Sequence, residues 1–558
     1  MTGNGRKASL SRPFGLAAAR MASQRVSPSK RLALAIGLTL SIGLASPAFA
    51  ARYALVVGID DYELPINDLH GAVNDAKDIA TALDKSGADR VVLLTNKEVT
   101  RVALEGAWNG LLAEAKEGDT LIFTYAGHGS QEPASENDPD ESDALDENFP
   151  LAGYGLKGNA LSERIVDNDI AQWLKDAQSK KVHVVFVADA CHSGTMYRAV
   201  SLGVTYRAAP KVTIDPAELL EFTPPKPQVS ERIGADDDVT FLAGVSDERL
   251  VPEIEIEGVA RGALSFSFAR ALEGAADADA DGEVTEKELT TFVRTKVQQL
   301  TDSQQVPQSF PPVSRAIAVF KKPVSDTSQP AQNDPAIEEA IALALKTASA
   351  SPLTLSYRGG EGPADVAGAT IVADEAEAEL VYDVGKRTVE KRVAGVVAEE
   401  VAPEGLPGIV AKWRAIAVLK AAAGEGVVAF EVASGPRTYA KGEKLTVALG
   451  TAPKPYMTLF NLPPNGRVEF FYPSRGNERD EDWRTKPFSL PLQVKDPPFG
   501  AEHLIAIMSD QPLDELHTAL KGLGTPDAAT ELPGLLKNAL ADQAIAIGIA
   551  SIFTSSGE

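Results

Sequence analysis

Val182-His183-Val184-Val185-Phe186-Val187-Ala188-Asp189-Ala190-Cys191-His192-Ser193-Gly194 is the stretch that decides the fold. Its apolar first half, Val182 to Val187, reads as a buried parallel strand with a turn after it. The cysteine then lies at a strand exit, where α/β sheets place their chemistry. It is the only cysteine among 558 residues, so an internal disulfide is excluded. An inert buried thiol and a nucleophile remain.

A second strand pattern separates those two. Asp119-Thr120-Leu121-Ile122-Phe123-Thr124-Tyr125 runs into Ala126-Gly127-His128-Gly129-Ser130-Gln131. A histidine between two glycines at a strand end is free of side-chain crowding and can face a cleft. An imidazole beside a thiol lowers the thiol's pKa and shuttles its proton. The glycines let backbone N–H groups approach an oxyanion. Either motif alone reads as a turn or a buried cysteine; together they read as a Cys-His pair.

Tyr125-Ala-Gly-His-Gly-Ser-Gln131 followed by Asp189-Ala-Cys-His-Ser-Gly194 resembles the caspase/metacaspase family of cysteine peptidases, in its bacterial metacaspase-like branch. Other segments resemble it in the same order. These are Tyr53 to Asp60, Leu69 to Ala76 with its Asn74-Asp75-Ala76, Ile165 to Trp173, and Gly262 to Leu272. The resemblance spans roughly residues 51–320. It implies an α/β fold, a caspase-like, mostly parallel sheet flanked by helices. The alternation of strand and helix patterns over residues 51–195 implies the same.

The chemistry follows from the pair. Cys191 is the expected nucleophile and His128 the general base, later the acid for the leaving amine. His192 adjoins the cysteine, but neighbours on an extended strand point to opposite faces, so His128 is preferred. The resemblance implies that the backbone N–H groups of Gly129 and Cys191 hold the oxyanion. It also implies that Asp189 and Asp75 line the S1 pocket, with Ala72 and Ala126 at its other positions. Two carboxylates there favour Arg or Lys at P1 through charge-assisted hydrogen bonds. His70, His183, His503 and His517 lack partner motifs and are read as structural or surface residues.

Calcium enters twice. The resemblance implies an activating aspartate cluster at Asp143, Asp167 and Asp169, although Asn168 and Arg198 depart from its pattern. Separately, Asp277-Ala-Asp279-Ala-Asp281-Gly282-Glu283-Val-Thr285-Glu-Lys-Glu288 fits the EF-hand loop. Asp277, Asp279, Asp281 and Glu288 are its candidate metal ligands. No cofactor is required by this reading, and calcium is the one it admits.

The first fifty residues carry seven basic residues and no acidic one, then the apolar run Leu32 to Leu44 and a small-x-small end at Ala48-Phe49-Ala50. This is the pattern of a secretory signal peptide with Sec-type export, giving a periplasmic or secreted protein without stable membrane insertion after cleavage. Its removal takes the net charge from −24 to −31. Such a chain repels nucleic acid and anionic membrane surfaces.

Residues 51–320 are the expected caspase-like peptidase domain and 321–335 a linker. Residues 336–430 form a mixed region opening on a helix from Ala336 to Lys346, and 431–558 a β-rich module and tail. Residues 196–238 form a long loop bearing Arg198, Arg207, Lys211, Lys226 and Arg232, where a protease with an acidic S1 pocket would cut itself. The leading reading is an exported cysteine endopeptidase acting on polypeptides after basic residues. The alternative is a catalytically silent caspase-like scaffold working through its acidic surface and C-terminal module. Gingipain-, clostripain- and legumain-like enzymes are disfavoured by the Asn-Asp-Ala and Asp-x-Cys-His-Ser-Gly motifs. The oligomeric state is not encoded in these motifs.

Overall fold

The computed structural model describes residues 50–133, 145–191, 205–209 and 238–244, most of 251–321 and most of 352–555. The expected leader, the 336–346 helix, Asp143 and most of the 196–238 loop lie outside the described residues.

Five strands of the first sheet are parallel. Its order is Gln308–Phe310, Val239–Ala243, His183–Asp189, Thr120–Ala126, Arg52–Gly58 and Arg90–Thr95, with the first antiparallel to its neighbour. The strands are apolar on both sides because both sides are covered. Ala54 and Val56 face one layer, with Leu264, Phe268 and Val293. Leu55 and Val57 face the other, with Trp108 and Trp173. The two indoles stack with centroids 5.3 Å apart, joining helices Arg101–Glu114 and Asp167–Ser179. Helix Ala72–Lys85 lies in the first layer beside helix Ala263–Arg270. Thr100 and Thr285 start their helices by accepting a backbone N–H three residues on.

Register does the placing. Gly58, Ala126 and Asp189 are partners across three adjacent parallel strands. His128 and Cys191 each follow their strand end by two residues. They therefore emerge side by side at the carboxyl edge, where the crevice of an open α/β sheet lies.

A ten-stranded sheet builds the second half. It draws strands from Leu353–Arg358 through Ile545–Ser555, and so takes members from both sides of residue 430. Its core pair, Gly500–Ser509 with Ile545–Ser555, is antiparallel over ten residue pairs. Helix Leu406–Ala423 covers one face, and a three-stranded sheet of Phe430–Val432, Lys444–Leu449 and Phe488–Gln493 covers the other. The halves meet at Asp302, whose carboxylate takes Lys420 at 2.6 Å and Lys391 at 3.2 Å. Among the described residues, no helix is long and apolar enough to cross a membrane.

Candidate active site

The histidine is fixed before the cysteine is considered. Tyr125 is buried, and its hydroxyl donates to the carbonyls of His128 and Pro150, each at 2.9 Å. The Tyr62 hydroxyl accepts the His128 N–H at 2.9 Å, and its ring meets the imidazole edge-on at 4.9 Å. His128 Nε2 lies 2.8 Å from the carbonyl oxygen of Asn67. A carbonyl only accepts, so Nε2 carries the proton and Nδ1 keeps the lone pair. Nδ1 has no hydrogen-bond partner among the described residues. Burial pushes this imidazole down to about 4, opposed by the Asn67 carbonyl, the charge of Glu253 and the Ala208 backbone.

Gly129 has a steric reason. A Cβ there would collide with the carbonyl oxygen of Cys191. The bare backbone lets the two strand exits touch, which aligns two N–H groups. Those of Gly129 and Cys191 both donate to one acceptor, the carbonyl oxygen of Arg207, at 3.1 and 3.0 Å.

Arg207 belongs to an extended segment, Thr205 to Ala209, laid along the cleft. Its N–H donates to Val251 at 2.9 Å, the Glu253 N–H donates to Thr205 at 2.8 Å, and the Ala209 N–H donates to Gly129 at 2.9 Å. Its guanidinium is fully buried among three carboxylates. Nη2 lies 2.5 Å from Asp75 Oδ2 and 3.4 Å from Glu253 Oε1, and Nη1 lies 3.2 Å from Asp189 Oδ2. Gly262 must be glycine here, because a Cβ would strike both Asp189 and the guanidinium. Burial drives Asp75 up to about 8, resisted by Arg207 and reinforced by Asp189.

Cys191 lies under this segment, 0% exposed, against Ala208 and Val251. Its sulfur accepts the Val251 N–H at 2.7 Å. No hydrogen bond joins it to the imidazole among the described residues. Burial pushes the thiol up to about 12.

The structure thus brings Cys191, His128, Gly129, Asp189 and Asp75 into one cleft, and it adds groups the motifs did not mark. Asn67, Tyr62 and Val251 act through main-chain or hydroxyl contacts that no side-chain pattern signals. Glu253 sits in Glu253-Ile-Glu-Ile-Glu257, which reads as an ordinary alternating strand. Arg207 is one of five basic residues in its loop, with nothing local to rank it. Three other histidines lie elsewhere: His183 pairs with Asp238 at 2.6 Å, His517 with Thr458 at 2.7 Å, and His503 is buried near Asp302, whereas His70 gives its backbone N–H to Glu253 at 2.9 Å.

The EF-hand-like loop is far along the chain from these groups. One oxygen each of Asp277, Asp279 and Asp281 lies within 4.8 Å of the other two, which suits a small hard cation. Glu288 instead serves the loop as a cap, accepting the N–H of Ala278 at 3.0 Å and of Thr285 at 2.8 Å. Asp169, of the other suggested cluster, pairs with Arg101 at 2.9 Å.

Residues 51–315 match the family model described as Caspase domain. Metacaspase-1A of Aspergillus oryzae is 30% identical over 159 residues, covering 27% of this chain and 36% of that protein. Metacaspase-1 of Arabidopsis thaliana is 28% identical over 255 residues, covering 44% and 65%. The chain thus spans about a third of the length of the curated relatives first matched. Among solved structures, a Geobacter sulfurreducens protein is 20% identical with a TM-score of 0.37, covering 49% of this chain and 98% of that one. Caspase-1 from Spodoptera frugiperda is 13% identical with a TM-score of 0.31, covering 50% and 92%.

Proposed function

We propose that the chain, whose residues 51–315 match the Caspase domain model and whose curated relatives include metacaspases, is a cysteine endopeptidase that cuts after arginine or lysine and processes itself. The observation that carries this reading is the seat of Arg207. Its side chain fills an acidic pocket while its carbonyl oxygen takes the two N–H groups aimed at an oxyanion. That is the pose of a P1 residue. The bond so presented is Arg207–Ala208.

The steps follow from the groups present. Cys191 leaves the Val251 N–H and gives its proton to His128 Nδ1. The sulfur then attacks the P1 carbonyl carbon. The oxygen takes the negative charge between the N–H groups of Gly129 and Cys191. The C–N bond breaks, and His128 returns the proton to the leaving amine. Water, deprotonated by His128, then hydrolyses the thioester and frees the carboxylate and the thiol. Asn67 holds the imidazole in the required tautomer throughout.

Export by the leader at residues 1–50, and action in the periplasm or outside the cell, belong to the same proposal and rest on composition alone. Calcium at Asp277, Asp279 and Asp281 is a further part of it. These carboxylates would hold the ion away from the cleft, as a brace for the helix at Glu286–Leu300.

The test is direct. Purified chain should yield a fragment beginning at Ala208, absent from Cys191→Ala. Fluorogenic peptides with Arg or Lys at P1 should be cut, and those with Asp or Asn spared, with calcium present or chelated. The scaffold alternative draws on one observation, the shut-in thiol bonded to Val251 rather than to the imidazole. A wild-type chain that stays whole and cuts no peptide would decide for it.

A further inference from the structure

Glu253 reaches back to a turn that lies 183 residues before it in sequence. Its carboxylate faces the Arg207 guanidinium through Oε1 at 3.4 Å. The same carboxylate accepts the N–H of Gly71 at 2.8 Å through Oε1 and the N–H of His70 at 2.9 Å through Oε2. These amides open helix Ala72–Lys85, whose N-cap Gly71 has no side chain to cap it. Three residues before His70 stands Asn67, whose carbonyl oxygen holds His128 Nε2 at 2.8 Å. One carboxylate therefore grips the P1 guanidinium and the turn that orients the imidazole.

The geometry also asks for a fork rather than a point charge. Nη1 is taken by Asp189, and Nη2 is shared by Asp75 and Glu253. A planar guanidinium meets such divergent acceptors together. A lysine ammonium is a single centre on a flexible stem, and cannot occupy both ends of the fork. With no cation in the pocket, Glu253 is left facing two further carboxylates, and the repulsion bears on the 67–71 turn.

We propose that Glu253 is a positioning residue that reads a guanidinium in the S1 pocket and passes its occupancy through the 67–71 turn to His128, so that arginine is preferred over lysine in turnover as well as in binding. This rests on the endopeptidase reading. A P1 arginine draws Glu253 into place, Glu253 seats the two helix-opening amides, and the Asn67 carbonyl then meets Nε2. A P1 lysine satisfies the two aspartates and leaves this linkage slack.

The experiment compares matched peptides ending in Thr-Tyr-Arg and Thr-Tyr-Lys before a fluorogenic leaving group, on wild-type chain that has cleared its own 205–209 segment. The expected wild-type result is a kcat about tenfold or more higher for arginine, since small misplacements of a catalytic group are costly. Glu253→Gln should lower kcat on the arginine peptide by about 10- to 100-fold, the range for one charge-assisted hydrogen bond. Its lysine rate should change little, so the preference collapses. Glu253→Asp, which keeps the charge, should recover part of it. A wild-type preference carried wholly by KM would overturn the inference, as would a Gln variant that loses both peptides equally. The wild-type split decides even where the variant fails to fold. If wild type cuts neither peptide, the endopeptidase reading itself fails, and this inference falls with it.

Discussion

The carbonyl oxygen of Arg207 lies 3.0 Å from the amide nitrogen of Cys191, and under the proposed endopeptidase reading this is where a substrate's P1 residue would sit. The two residues are sixteen apart in sequence. The cleft is filled by a segment of the same molecule, held at both its backbone and its side chain.

Removing the arginine should remove the cut. Arg207→Ala should stay whole under conditions in which wild type yields the Ala208 fragment, checked by gel and N-terminal sequencing. It also leaves Asp75 and Asp189 buried without their cation, and breaking a buried pair by deleting one partner costs about 3–5 kcal/mol. The melting temperature should therefore fall. Arg207→Lys should cut, but more slowly than wild type.

Thiol reactivity should report on the same segment. With Ala208 and Val251 against it, Cys191 is 0% exposed and pushed up to about 12. Only the thiolate is alkylated readily. Iodoacetamide should label wild-type precursor slowly at neutral pH. It should label Arg207→Ala at least about tenfold faster, because the segment loses its anchor. Equal rates, followed by mass spectrometry, would show that the segment does not gate the sulfur.

Acidity in the pocket has a defined sign. Three buried carboxylates surround one guanidinium, so one of them keeps a proton, and burial with the charge of Asp189 places it on Asp75 at about 8. An unfolded aspartate titrates near 4. Folding thus favours protonated Asp75. Its contribution is full below about pH 4 and fades as pH rises to about 8. Urea midpoints for the Cys191→Ala precursor should decline over that window, and Cys191→Ala/Asp75→Asn should flatten the decline. An unchanged slope would refute the assignment.

Asp302 braces the two halves. Burial alone would raise it, but Lys420 and Lys391 hold it well below the usual carboxylate range. Asp302→Ala leaves both lysines facing each other beside buried His503, and should cost about 3 kcal/mol. Calorimetry should then show the second half melting apart from the first. A single unshifted transition would mean that the clamp adds nothing.

Much of the fold was legible in the chain because both sides of the first sheet are covered, which writes its strands as unbroken apolar runs. The runs at 119–125 and 182–187 became strands within two residues of their expected ends. The helical patterns of residues 72–83 and 102–115, part of the alternation over 51–195, run over 72–85 and 101–114. In the second half, the expected β-rich module carries strands such as Lys444–Leu449. Residues 353–398 gave no clear pattern, because short strands such as Ala369–Ile371 are half-exposed and gain their order from neighbours.

The sequence by itself determined which residues could do chemistry, since a lone cysteine and a glycine-flanked histidine each close an apolar run. Only the tertiary structure decided what those groups face. Parallel register set the two strand ends side by side, and a bare Gly129 backbone allowed Cys191 to close on it. Main-chain groups of Asn67 and Val251, invisible to any side-chain pattern, chose the tautomer and held the sulfur. Arg207 and Glu253 look like ordinary loop and strand residues until folding buries them. There, out of water, a cation must find its anions, and that need selected Arg207 from the five basic residues of its loop.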